Sequence, residues 1–312
     1  MDILDGQIQR LVERAGQQYR YGDFRGGMES LREALSIDPQ QYFPHSFLAV
    51  GLLSMKRLVA AEHEARIGVQ LEPEAHFAHF ALGEVLQAQL KFKQALKHRE
   101  QALALSPTDA DYHRAVAETL ALMGRDKAAK TYLDKALQLD PESADTLAQL
   151  GEWHLGRNQK QEAARFFDEA LNLEPQHRAA LTGKGRLLLY RGKTDEAYDH
   201  AIWVLQQDAD NHAALQLLAS IKTRRNPVFG LWFRMNAWLT AGGNLRTILL
   251  LIGAYVLFQL ASQLLQDRGL AEAATLLRYT WLGVVIYSWV GPAWFRSKLE
   301  EELKSVRLKP GF

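Results

Sequence analysis

The chain has no cysteine. That absence excludes a disulfide framework, a thiolate nucleophile and any zinc or iron–sulfur centre held by cysteines. An excess of charge of one sign is missing as well. The 37 basic and 36 acidic residues leave a net charge of +1 over 312 residues, so no attraction of the whole chain to nucleic acid is implied. Any charge argument has to be local. The start, Met1-Asp2-Ile3-Leu4-Asp5, lacks a basic segment followed by an apolar one, so a cleavable secretion signal is not expected and the N-terminal part should stay on the side where it is made. Neither H-E-x-x-H nor G-x-S-x-G occurs, and no enzymatic function and no cofactor are expected.

Proline is scarce, at nine residues, but its placement is regular. Pro39, Pro73, Pro107, Pro141 and Pro175 each close a run of the type apolar-x-apolar-[Asp/Glu/Ser]-Pro, and every interval is 34 residues. Ala209 takes the sixth place. Small residues keep the same period at Ala61, Ala95, Ala129, Ala163 and Ala197, with Ala34, Ala102, Ala136 and Ala170 at a second small position. Each unit reads as two helices with apolar residues at i, i+3, i+4 and i+7, small residues where the backbones approach, and a proline that cannot continue the second helix. A single hairpin cannot bury its apolar face alone, so the units must stack.

At this point the sequence resembles the tetratricopeptide repeat (TPR) family. The unit 144–177 carries its pattern well, with Leu147, Leu150, Gly151, His154, Ala163, Phe167, Ala170 and Pro175 in register. The resemblance implies an all-α, right-handed helical-hairpin solenoid. A lead-in 1–7 would be followed by repeats 8–41, 42–75, 76–109, 110–143, 144–177 and 178–211 and a capping helix 212–224. The first unit departs at Arg14 and Gly27 and the sixth at Lys184, as terminal units of a solenoid often do.

The last third is different material. Five of the seven tryptophans lie between Trp232 and Trp294. The segment 247–266 has no charge over twenty residues, a helical length of about 30 Å that matches a bilayer core. A second run, 276–295, contains only Arg278, close enough to its start to snorkel. The expectation is a C-terminal two-helix transmembrane hairpin preceded by an interfacial amphipathic helix, 228–240. Trp232, Phe233, Arg234, Trp238, Arg246, Trp281 and Trp294 would line the membrane interface. Basic residues flank both runs on their outer sides, including Arg224, Arg225 and Arg246 before the first and several in the tail 296–312 after the second. The positive-inside rule then places both termini in the cytoplasm, most naturally beneath a bacterial inner membrane.

In proteins of the resembling family, five first-helix positions line a groove for a protein partner. Carried over, they give Phe43, Val50, Phe77, Phe80, Glu84, Asp111, Glu118, Asp145, Glu152, Arg186 and Tyr190, an apolar aromatic patch followed by an acidic stretch. The partner implied is a protein segment with an apolar anchor and a basic stretch, with the lipid bilayer and another membrane subunit as further contacts; nucleic acid is not expected. The carboxylate clamp known in the family is excluded, because its positions read Val12, Gly16, Phe47, Phe77 and Ala81. His45, His79 and His113 recur 34 apart, but stacked helices lie about 8–10 Å apart, too far for ligands of one metal. Packing between helices is their expected role. Gly192-Lys193-Thr194 ends like a phosphate-binding loop, yet Leu187 stands where that loop needs glycine. The reading is a membrane-anchored scaffold or adaptor; the alternative is a constitutive structural or assembly subunit of a membrane complex.

Overall fold

The computed structural model describes residues 3–209, 211–225, 255, 257–277, 279 and 280. Among them every regular element is helical, and two compact units divide the chain, 1–177 and 178–312.

In the first unit, helices alternate between 13 and 14 residues once the period is established. α3 (Tyr42–Ser54) and α4 (Leu58–Leu71) set the pattern, repeated by α5 (His76–Ala88) and α6 (Phe92–Leu105), α7 (Ala110–Leu122) and α8 (Asp126–Leu139), and α9 (Ala144–Gly156) and α10 (Lys160–Leu173). α1 (Ile3–Arg20) and α2 (Phe24–Ile37) precede them. Because α1 starts at Ile3, most of the expected lead-in is helix.

Each first helix ends in the same way. The amide of Arg57 donates to the carbonyl of Leu52 at 2.9 Å, and Lys91 to Leu86, Arg125 to Leu120 and Gln159 to His154 repeat that bond at 2.8–3.0 Å. This closure needs a left-handed residue just past the helix. Gly22 and Gly124 supply it without strain at φ 78° and 73°, whereas Lys56, Leu90 and Asn158 adopt φ of 59°, 61° and 60° with a side chain in place. A left-handed non-glycine residue costs about 1 kcal/mol, and asparagine tolerates it best. Leu90→Gly is therefore expected to stabilise the array by about 1 kcal/mol, read as slower hydrogen exchange in α5 and α6. Unchanged or faster exchange would show that the leucine makes a compensating contact. The second helices end at the prolines: Asp38, just before Pro39, is extended at φ −141° and ψ 106°, where a pre-proline residue is pushed.

Small residues mark the helix crossings. Ala61, Ala95, Ala129 and Ala163 are fully buried, as are Ala34, Ala102, Ala136 and Ala170. A second device pairs a glycine of a first helix with a large side chain of the following one. A Cβ on Gly151 would lie 2.5 Å from the Phe167 ring, and one on Gly83 would lie 2.7 Å from Arg99 Cγ. The first unit's departure from the alanine pattern has the same physical cause. Tyr19 occupies a socket between Gly27 and Gly51, where a Cβ would approach its ring and hydroxyl to 2.3 and 2.0 Å.

The second unit holds α11 (Arg178–Tyr190), α12 (Thr194–Gln207) and α13 (His212–Arg225). α13 packs on both others and buries Leu217, Leu218 and Ile221, and its first turn is capped by the Asn211 side chain, which accepts from the Ala214 amide at 3.1 Å. Gly192 is left-handed at φ 83°, which makes Gly192-Lys193-Thr194 a hairpin turn. Residues 257–267 and 271–277 form two further helical segments, separated by a turn at Gly269 with φ 75°. No helix among the described residues is long and apolar enough to cross a membrane. The expected interfacial helix 228–240, residues 247–254 and 256 of the first expected span and most of the second, 276–295, lie outside the described residues, as do Trp232, Phe233, Arg234, Trp238, Arg246, Trp281 and Trp294.

Candidate partner-binding face

The first helices of repeats one to four share a row of aromatic rings. Tyr19 meets Phe47 edge-on at 4.9 Å, Phe47 lies 5.7 Å from Phe43, and Phe43 stacks on Phe77 at 4.8 Å with 26° between the planes. The row continues from Phe77 to Phe80 at 6.3 Å and on to Tyr112 at 5.2 Å, whose hydroxyl lies 2.6 Å from His76 Nδ1. Burial pushes the Tyr112 and Tyr19 hydroxyls to higher pKa, so both stay protonated. Phe43, Phe47, Phe77 and Phe80 keep part of each ring exposed. The sequence-expected residues Phe43, Phe77 and Phe80 are thus brought together, and half-buried Val50 lies on α3 with Phe43. Beside Phe47 an open cleft of about 480 Å³ is lined by Glu13, Gly16, Gln17 and Arg20. The absence of a side chain at Gly16 helps to keep it open.

The acidic stretch is organised differently from its sequence reading. Arg99, on α6, is fully buried. Its Nη1 lies 2.6 Å from Gln87 Oε1, 2.7 Å from the Ala115 carbonyl and 2.7 Å from Thr119 Oγ1. The same guanidinium pairs with Glu84 through Nη2 and reaches Glu118 at 3.5 Å. Two of the carboxylates expected to face a partner are therefore engaged by an internal cation. Burial nevertheless raises the Glu84 pKa, the attraction of Arg99 offsetting only part of that cost. Asp111 and Asp145 are shared in a similar way. Arg114 bonds Asp111 at 3.0 Å and approaches Asp145 at 3.7 Å, and His177 Nε2 lies 3.0 Å from Asp145. The bond from His177 holds the Asp145 carboxyl below its usual range. Burial disfavours the Arg114 cation, but Asp145 and Asp111 outweigh it and raise its pKa. Glu152 is half-buried on α9. Arg186 and Tyr190 belong to α11 in the second unit, where Tyr190 is well exposed.

The three periodic histidines have a defined task beyond packing. In each, Nε2 lies against the carbonyl of the proline six residues earlier: His45 on Pro39 at 3.1 Å, His79 on Pro73 at 3.0 Å and His113 on Pro107 at 3.0 Å. With Nε2–H donating, each ring closes the turn between repeats. Nδ1 then faces the second helix of the same hairpin, meeting Glu64 at 2.7 Å from His45 and His98 at 3.0 Å from His79. The Glu64 bond raises the His45 pKa, while burial and the neighbouring His79 lower that of His98 to about 4. No group of three potential metal ligands exists among the described residues.

A tetratricopeptide repeat profile matches residues 123–187. The matched segment runs from within the fourth repeat through the fifth and into the sixth, on the same 34-residue frame as the rest of the array. The chain carries tetratricopeptide repeats. Repeats of this family mediate protein–protein interaction. Among solved structures, a thermophilic TPR protein of Thermus thermophilus is 21% identical, with a TM-score of 0.54, over 58% of this chain and 99% of that one. PilF of Pseudomonas aeruginosa is 18% identical with a TM-score of 0.54, over 70% and 99%. PilW, a type IV pilus biogenesis factor, is 18% identical with a TM-score of 0.54, over 68% and 98%. At these identities the likeness speaks for the fold alone. No curated protein matches the chain.

Proposed function

We propose that this TPR array is a membrane-tethered adaptor whose first-helix face holds a protein partner on the cytoplasmic side. The observation that carries the binding reading is the aromatic row from Phe47 to Tyr112, in which Phe43, Phe47, Phe77 and Phe80 leave ring surface partly exposed on two consecutive repeats while Tyr112 is buried. Exposed aromatic surface beside an open cleft is where an apolar anchor of a partner gains most. The basic part of that partner would meet Asp111 and Asp145, which pair with Arg114 and His177 but keep 66% and 58% of their side chains exposed, more than Glu84 and Glu118 beside Arg99. Photo-crosslinkers placed at Phe43 and Phe80 in intact membranes are expected to capture one defined protein, and a crosslinker at exposed Glu100 is expected to miss it. Equal capture from all three positions would overturn this.

The tether rests on the two apolar runs and on the residues described within and between them. Leu257, Leu260, Leu264 and Leu276 are each at least half exposed, whereas Ser262 and Ala274 are buried. Small residues inward and leucines outward is the inverse of a helix pair in water, and it suits helices that face lipid. Inner-membrane vesicles turned inside out should leave the array open to protease. Protection there would reverse the proposed orientation.

A further inference from the structure

The two long edges of the first unit carry opposite charge. Hairpin turns lie along one edge and the turns between repeats along the other, because all first helices run one way and all second helices the other. Contacts between successive hairpin turns follow this geometry: Gln89 Nε2 donates to the Leu58 carbonyl at 3.1 Å, and Trp153 Nε1 to the Asp126 carbonyl at 2.9 Å. The five hairpin-turn windows 20–25, 54–59, 88–93, 122–127 and 156–161 hold ten Lys or Arg residues, two in each, against two Asp. All ten cations are exposed. The four complete windows between repeats within this unit, 37–42, 71–76, 105–110 and 139–144, hold six Asp or Glu and no Lys or Arg. Helix dipoles do not account for this, because each edge presents both helix N-termini and helix C-termini.

Apolar exposure follows the basic edge. Among the described residues of the first unit, seven large hydrophobic ones are exposed, and five of them lie in the hairpin-turn windows: Tyr21, Met55, Val59, Leu90 and Leu122. Val59 is 84% and Leu90 73% exposed. Leu90 also occupies a left-handed position where glycine stands in other repeats, so at that site the sequence accepts both strain and an exposed leucine.

From these observations we infer that the hairpin-turn edge of the first unit rests on an anionic bilayer surface, with Val59, Leu90 and Leu122 entering the headgroup region. Lys and Arg between them pair with lipid phosphates, and the acidic edge is held away from the bilayer by the same field. Nucleic acid would also attract the cations, but it offers nothing to exposed valine, leucine and methionine. The proposed tether brings this edge within reach of a membrane, and the inference rests on that reading only to that extent.

The absence of cysteine makes the test direct. Leu90→Cys in the full chain creates the sole thiol, which is labelled with an environment-sensitive fluorophore; Glu74→Cys labels the acidic edge in the same way. The chain is reconstituted into vesicles of brominated phosphatidylcholine with or without phosphatidylglycerol. Quenching at 90 but not at 74 is expected, only with phosphatidylglycerol, and is expected to vanish at about 1 M salt, where screening shortens to about 3 Å. Adding Arg57→Glu, Lys93→Glu and Lys127→Glu should lower occupancy of the surface by about fivefold or more per reversed charge. Equal quenching at both positions, or a response at 90 to single-stranded DNA and none to anionic vesicles, would overturn the inference. Flotation with neutral vesicles at high salt reports the tether alone, so its failure is distinguishable from failure at the edge.

Discussion

Arg99→Ala is expected to lower the local stability of repeats three and four by about 3 kcal/mol, the low end of the range for breaking a buried ion pair. The low end applies because the Glu84 and Glu118 side chains keep 30% and 42% exposure and can turn partly to water. The loss has three sources. A long side chain disappears from above Gly83, the carboxylate of Glu84 loses its cation, and Gln87, Thr119 and the Ala115 carbonyl lose a shared donor. Repeat arrays open locally, so the readout is hydrogen exchange of the α5–α7 amides, not a single global transition. The pH dependence has a definite sign. Without Arg99, a Glu84 pKa already raised by burial rises further, so its stabilising contribution is intact below the ordinary carboxylate range and is lost as pH climbs through the raised value. The Arg99→Ala deficit should therefore shrink on acidification. Arg99→Phe is expected to recover most of the packing, since Phe167 occupies the equivalent place above Gly151. Protection in Arg99→Ala within about 1 kcal/mol of the parent would mean that the network adds nothing beyond what water supplies.

Arg99 also shows where sequence reasoning stops. The period of the prolines and alanines reports backbone geometry, because proline cannot continue the second helix and a small side chain fits the crossing, and that geometry is what the structure repeats. The aromatic residues were legible for a similar reason: Phe43 and Phe77 hold the same repeat position and stack directly on each other. The acidic stretch was misread in its availability. An arginine at the place where Phe167 sits two repeats later was a visible anomaly, but its guanidinium turns toward the first-helix face only because Gly83 leaves room. The histidines were read as packing. Their shared bond to a proline carbonyl depends on a turn whose backbone direction a sequence does not display. The charged edges were within reach of the same periodic frame, since position within the repeat is enough to sort cations from carboxylates.

The other large effect is expected at the glycine–aromatic pair of repeat five. Phe167 is fully buried, and Phe167→Ala should cost about 4 kcal/mol through lost transfer energy and the cavity left behind. Gly151→Ala alone should also destabilise, by about 1–3 kcal/mol, because its Cβ would sit 2.5 Å from the ring of the fully buried Phe167. Together the two changes should not add. With the ring gone, the new methyl group enters empty space and alanine improves the helix by about 1 kcal/mol, so Gly151→Ala becomes stabilising in the Phe167→Ala background. The expected coupling between the two positions is therefore about 2 kcal/mol or more in the favourable direction, read from hydrogen exchange of α9 and α10 in a double-mutant cycle. Additive losses would show that the glycine serves the backbone and not the ring, and the pairing of small first-helix residues with large second-helix ones would no longer explain how these hairpins close.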